Sequence, residues 1–159
     1  MEREDLLSRI MVEVRSMTLA YYAYMHTDRE YVKDYNLYLR ELHFLLAVGG
    51  SESLSMTEIA NHLEVTQGAA TQIASRLLRK DLIAKVKNRF DKRYTVIMLT
   101  EQGKHVYAEY SRVDAIRRKE VFARMDIFAM SDLDAILKYA VLMKELCADF
   151  QSRTAPEQQ

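Results

Sequence analysis

The 159-residue chain is poor in the residues that break helices: it has one proline and four glycines. That scarcity excludes a β-sandwich, which needs a turn every ~8–12 residues, and favours long helices. Cysteine is almost absent. A lone Cys147 excludes a disulfide framework and fits a reducing compartment. Long hydrophobic runs are also missing. The longest stretch without Asp, Glu, Lys or Arg is Ser16–Thr27, twelve residues, where a membrane span needs ~18 or more. Met1 is followed by Glu2, Arg3, Glu4 and Asp5, which is not a secretory signal. A chain of this size buries roughly 70% of its extendable surface, so it needs no metal or disulfide staple. The expectation is a cytoplasmic protein with no membrane contact.

An overall excess of one charge is lacking too, because 23 basic residues balance 23 acidic ones. The balance is local only on the basic side. Residues 55–100 hold eight cations and four acids, and the rest of the chain 15 and 19. All eight cations lie between Arg76 and Arg93, opposed there by Asp81 and Asp91. Such a patch in an otherwise acidic chain is the footprint of a local polyanion site, although a charge cluster alone is equally a solvated face.

The organisation around the patch decides. Leu6, Leu7, Ile10, Met11, Val14, Met17, Tyr21 and Met25 form one face of a long first helix. A polar connection covers residues 28–36. A second helix spans Leu39 to Val48 and is stopped by Gly49-Gly50. Ser55-Met56-Thr57-Glu58 is a capping box opening a short helix, and Thr66 caps another whose inward face is Ala70, Ile73, Ala74, Leu77 and Leu78. The period then changes. Leu82–Lys87 and Tyr94–Leu99 read as two strands around the polar turn Asn88–Arg93, which includes Phe90. Helix resumes after Thr100, and a last helix is capped at Ser131-Asp132-Leu133-Asp134. Two short helices joined by a tight turn, followed by a basic hairpin, predict a mainly α fold: a winged helix-turn-helix with a two-stranded wing. The apolar stripes of the first and last two helices lack partners in a monomer, so a homodimer is expected. The corresponding divisions are 1–36 for the N-terminal dimerisation helix and connection, 37–100 for the winged region and 101–159 for the C-terminal dimerisation helices, all within one structural domain.

The outer face of the second short helix suits a major groove ~12 Å wide, where side chains must be small or hydrogen-bonding. Thr66, Gln67, Gly68, Thr71, Gln72 and Ser75 meet that demand, and Arg76, one turn on, can reach phosphate. The wing offers Lys87, Arg89, Lys92 and Arg93, and an arginine there suits a narrow minor groove. Asp91 would repel phosphate unless it orients Arg93.

These motifs resemble the MarR family of bacterial winged-helix repressors over nearly the whole length. The resemblance rests on Leu37-x-x-x-Glu41-x-x-x-Leu45-x-x-Val48, on Leu54-Ser55-Met56-Thr57-Glu58-Ile59-Ala60-x-x-Leu63 and on Val65-Thr66-Gln67-Gly68 through Arg76-Leu77 and Leu82-Ile83. Its most specific part is Asp91-x-Arg93 followed by Leu99-Thr100-x-x-Gly103. Two positions depart from the pattern: Asp81 replaces a usual glycine, and Leu78 a usual charged residue. The resemblance implies a regulator of double-stranded DNA, with Asp91 orienting Arg93. It also implies a small aromatic or phenolic effector in a cleft between the dimer helices and the winged region. Six of ten tyrosines lie between Tyr21 and Tyr38, so Tyr21, Tyr24, Tyr38 and His43 are the candidate effector residues, with core packing as the competing reading.

Other chemistries find little support. No phosphate-binding loop, nucleophile elbow or zinc-protease helix occurs, so no enzyme is expected. His105 and Glu109 share a helix face that His43 could approach, and zinc-sensing relatives carry a His-rich start to that helix. The sequence has only His105 there, so His26, His43 and His105 read as structural, no cofactor or metal is expected, and a metal-responsive regulator is the alternative. A winged helix used only for protein contacts is the alternative of another class. Cys147, on the last apolar stripe, reads as a buried thiol.

Overall fold

The structure, a computed structural model, describes residues 2–154 apart from 52 and 90; side chains are described for all of these except 28, 29, 151, 153 and 154. Phe90, in the expected wing turn, therefore lies outside the described residues. The elements run α1 (Arg3–Met25), β1 (Asp28–Val32), β2 (Tyr35–Tyr38), α2 (Leu39–Gly49), α3 (Met56–His62), α4 (Gln67–Arg79), β3 (Ile83–Lys87), β4 (Thr95–Leu99), α5 (Glu101–Met125) and α6 (Met130–Thr154). Two compact units result, Met1–Ala115 and Ile116–Gln159. No helix among the described residues is long and apolar enough to cross a membrane.

In the first unit α2 is the centre of the core. Leu42, Phe44 and Leu45 are essentially inaccessible, and they pack with Leu37, Ile59, Leu77, Leu82, Ile83, Ile97 and Val106. Burial of each large apolar side chain contributes about 1.5–3 kcal/mol, which locks α3, α4 and the wing onto α2. Short polar contacts start the helices. Ser55 Oγ accepts from Glu58 N–H at 3.3 Å while the Glu58 carboxylate accepts from Ser55 N–H at 2.7 Å. Thr66 Oγ1 accepts from Ala69 N–H at 3.2 Å and starts α4. At its other end Asp81 takes a left-handed conformation, φ 54°, so the aspartate accommodates the turn where the family usually has glycine. Leu78, the second departure, packs half-buried against the core.

The wing pairs Ile83 with Leu99 through Lys87 with Thr95, antiparallel, and Leu54 accepts from Ile97 N–H at 2.8 Å as a third, one-residue strand. Thr100 ties the wing to α5: its hydroxyl donates to the Asp81 carbonyl at 2.6 Å and accepts from Gly103 N–H at 3.0 Å. A β-carbon at Gly103 would overlap the Leu82 carbonyl oxygen. The Leu-Thr-x-x-Gly motif is thus a backbone-on-backbone joint between the turn after α4 and the start of α5.

Three local expectations are corrected. Residues 28–36 are not a plain connection but most of a hairpin, β1–β2, turned at Lys33-Asp34 with Asp34 left-handed, φ 68°. Buried Val32 and Leu37 anchor it, and Tyr31 meets the Tyr110 ring edge-on at 5.9 Å. Gly49-Gly50 does not end α2 through a left-handed glycine, since Gly50 sits at φ −79°. Gly49 is instead needed for clearance, because a β-carbon there would collide with the Tyr107 ring. The last helix starts at Met130, before Ser131, and Asp132 reaches back to accept from Ala129 N–H at 2.9 Å.

The unit Ile116–Gln159 holds the end of α5 and α6. Cys147 is exposed there, not buried, because the apolar side chains of α6 lie largely uncovered in the single chain.

Candidate nucleic-acid interface

Helix α4 buries Ala70, Ile73, Ala74 and Leu77 and turns Gln67, Gly68, Thr71 and Gln72 outward. The hydroxyls are already oriented. Thr71 Oγ1 donates to the Gln67 carbonyl and Ser75 Oγ to the Thr71 carbonyl, both at 2.8 Å. With their protons given to the helix, both oxygens present lone pairs, which suit the exocyclic amino groups of adenine or cytosine. Gln67 is partly committed, donating from Nε2 to Thr57 Oγ1 at 3.0 Å and so bracing α4 against α3. Nothing inside the protein requires the glycine at 68: its φ is not positive, and an added β-carbon would touch only Thr66 Oγ1 at 4.0 Å. Glycine in a helix is destabilising by roughly 0.5–1 kcal/mol relative to alanine, and the packing around α4 supplies no compensation for that cost at 68.

The wing carries the second half of the site. Asp91 holds Arg93 by three side-chain contacts, Nη2 to Oδ2 at 2.8 Å and Nε to Oδ1 and Oδ2 at 3.1 and 3.2 Å, and Oδ1 also accepts from Arg93 N–H at 2.9 Å. These hydrogen bonds hold the Asp91 carboxyl below the usual carboxylate range and raise the Arg93 guanidinium. The Arg93 side chain is nonetheless 85% exposed. A fixed, protruding guanidinium is what insertion into a narrow groove demands. Lys87, Arg89 and Lys92 are exposed around it.

Two cations of the cluster are engaged elsewhere. Lys80, just after α4, donates to Glu41 Oε2 at 3.0 Å and to the Asn36 carbonyl at 2.7 Å. Glu41 is fully buried on α2 and also accepts from Tyr38 N–H at 3.0 Å. Lys80 is 34% exposed while Glu41 is inaccessible, so removing Lys80 would leave the buried carboxylate without its cation, and Lys80 ties the end of α4 to α2 and β2. Arg76 does not extend freely toward a phosphate either: it is half-buried, with its guanidinium carbon 5.1 Å from the Tyr38 ring centroid. Arg40, which the sequence pattern did not single out, lies over the same ring at 5.2 Å. The two guanidinium carbons are therefore no more than about 10 Å apart, so the like charges repel each other across the ring. Beside this pair a cavity of about 230 Å³ opens between the ends of α1 and α2 and the side of α4.

The candidate effector residues are not gathered around that cavity. Tyr21 is 57% exposed, Tyr24 packs on the core, Tyr38 lies under the two arginines, and His43 is half-buried on α2. None of the four lies on the cavity wall. Burial lowers the His43 pKa, and the nearby Asp114 partly offsets the effect. His26 stacks on Tyr22 at 4.0 Å and its Nδ1 donates to the Tyr22 carbonyl at 2.8 Å, while His105 is exposed on α5. Among the described residues no three His, Cys, Asp or Glu side chains come together as a metal site.

Comparison with known proteins agrees with this geometry. Residues 35–93, from β2 into the wing, match the sequence profile of the MarR family. The winged region is thus similar to that of MarR-family proteins. The HTH-type transcriptional regulator SarZ of Staphylococcus aureus is 28% identical over 83 residues, 52% of this chain and 56% of SarZ. The chain thus spans a little over half the length of the curated relatives it matches. Its fold is similar to that of the adhesin competence repressor AdcR from Streptococcus pyogenes, with a TM-score of 0.68, 20% identity, and coverage of 89% of this chain and 97% of AdcR. ZitR of Lactococcus lactis, described as a zinc-responsive MarR family member, has also been determined in complex with DNA. That complex gives a TM-score of 0.67 at 17% identity and covers 91% of this chain and 97% of ZitR.

Proposed function

We infer that this chain is a DNA-binding transcription regulator acting as a homodimer on a pseudo-palindromic operator, as a repressor released by a small effector. Thr66, Gln67, Gly68, Thr71, Gln72 and Ser75 serve the major groove, and Lys87, Arg89, Asp91, Lys92 and Arg93 the wing contact. Arg76 borders the interface from its place over Tyr38. The two copies of α4 would enter successive major grooves about 34–36 Å apart. The observation that carries this reading is the Asp91–Arg93 clamp, an exposed cation aimed by its own carboxylate beside a helix with a small, acceptor-rich outer face. The ZitR–DNA complex supports the same use of the fold. The zinc response of ZitR favours a metal-responsive regulator of the same fold as the alternative reading.

The test begins by selecting an operator from random DNA and titrating it at several salt concentrations. Arg93→Ala should weaken binding by about 1–3 kcal/mol and reduce the salt slope by about one ion per subunit, with an unchanged melting temperature. Operator affinity and salt slope equal to the parent's would overturn the wing assignment. Failure to enrich any sequence would point to a winged helix used for protein contacts.

A further inference from the structure

Hydrogen bonds to base edges are directional, so the outer side chains of α4 can read DNA only if the helix is held at one rotation about its axis. Apolar packing is non-directional and does not fix that rotation by itself. Of the four buried residues of α4, two are the alanines Ala70 and Ala74. The directional contacts sit at the ends. At the start Gln67 donates to Thr57 of α3, within the same helix-turn-helix. At the far end one ammonium, that of Lys80, donates to Glu41 Oε2 on α2 and to the Asn36 carbonyl on β2. Glu41 Oε2 also accepts from Tyr38 N–H, and its Oε1 is buried with no hydrogen bond among the described residues. A carboxylate so far from water depends on its cation. Arg76, one turn before Lys80, lies over the Tyr38 ring and ties α4 to the same end of β2.

We propose that Lys80 and Glu41 are positioning residues for sequence recognition. The pair fixes the rotation of α4, and Lys80 itself makes no contact with DNA. The proposal rests on the DNA-binding reading and divides the basic cluster by role. Arg93 is a charge offered to nucleic acid, so its loss lowers the salt slope. Lys80 is a charge held inside the fold. Its loss lowers the preference for the operator over other DNA and leaves the slope unchanged. Glu41 carries the sharper form of the claim: its side chain is 0% exposed, so any effect it has on DNA binding passes through the elements it holds.

The test titrates the full chain with the selected operator and with a scrambled duplex of the same length, at several salt concentrations. Two variants are compared with the parent. Glu41→Gln removes the buried charge and keeps an acceptor for Tyr38 N–H. Lys80→Met/Glu41→Gln removes the tie altogether without leaving a buried carboxylate, so both should melt near the parent. The ratio of operator to scrambled affinity should fall about threefold or more in Glu41→Gln and about tenfold or more in the double variant. Scrambled-duplex affinity and its salt slope should match the parent's in the double variant. A slope lower by about one ion per subunit there would make Lys80 a phosphate contact and overturn the proposal. The parent's ratio in both variants would make the pair purely structural and overturn it as well. Amide hydrogen exchange without DNA forms the second arm. The amides of Lys80, Asp81 and Leu82, which donate to the carbonyls of Arg76, Leu78 and Leu77, should exchange about tenfold faster in the double variant, with that of Leu63 on α3 unchanged. Equal exchange in parent and double variant would show that the pair does not hold the end of α4, and overturns the proposal. Failure to enrich any operator would break the DNA reading and the recognition role with it, and faster exchange would still establish the tie.

Discussion

The winged region and the long helices treat the same kinds of side chain in opposite ways. Between Val32 and Tyr110 the apolar residues of α2, α3, α4 and the wing close on each other, and Leu42, Phe44 and Leu77 are fully buried. On α1 no residue is buried, and Met11, Met17, Leu137 and Phe150 stand 55–64% exposed on α1 and α6. Composition does not separate the regions; partners do. The winged core closes within one chain, whereas the apolar stripes of α1 and α6 stand open in it, as on surfaces that bind a partner. The difference teaches that stability and assembly reside in separable parts of the molecule.

The contrast can be broken most directly by a pair of substitutions. Leu42→Ala removes a fully buried side chain and should destabilise the protein by about 2–5 kcal/mol at every protein concentration. Leu137→Glu, on the exposed stripe of α6, should leave the stability of the dilute chain within about 0.5 kcal/mol of the parent. It should nonetheless shift sedimentation toward the monomer. Denaturant melts over a range of concentrations separate the two effects, and a Leu137→Glu chain as unstable as Leu42→Ala when dilute would erase the distinction.

A smaller effect sharpens the comparison inside the winged region, between residues that serve the fold and those that serve a partner. Gly68→Ala should raise stability by about 0.5–1 kcal/mol, because the internal space admits a methyl group and the unfolded chain loses freedom. The same change should weaken operator binding, since the backbone at that position would no longer be bare. A stabilised variant with full operator affinity would mean that glycine 68 serves no interface.

What the sequence made readable follows from the same division. Local chemistry was visible: Ser55–Glu58 and Thr66 cap their helices, Asp81 takes the left-handed turn, and Asp91 reaches Arg93 two residues away. Contacts between distant residues were not. The β1–β2 hairpin was hidden because its strands are short and mostly polar, although Asp34 between Tyr31-Val32 and Tyr35-Asn36-Leu37 was a usable turn signal. Lys80 belongs to the basic patch by position, but Glu41, 39 residues earlier, holds it. Arg40 carried no motif, and its role emerges only where β2, α2 and α4 meet around Tyr38. Charge counting locates a patch; it does not tell which cations the fold has already used.

The smallest expected effect concerns pH and His43. Burial lowers its pKa in the folded protein, so the folded state resists a proton that the unfolded chain accepts below about 6.5. Its contribution to stability is fully present above that value. As pH falls below 6.5, the unfolded chain binds more protons and the contribution is lost until the folded-state pKa is passed. Asp91 and Glu58 titrate in a different window. Hydrogen bonds lower both carboxyls, so their contributions persist above the ordinary carboxylate range and are lost only in stronger acid. Between pH 7.5 and 5.5 the slope therefore isolates His43. His43→Gln should flatten the fall in melting temperature across that interval and leave the acid limb below pH 4.5 unchanged. An undiminished slope in the variant would move the titrating group elsewhere and remove His43 from the account of the winged core.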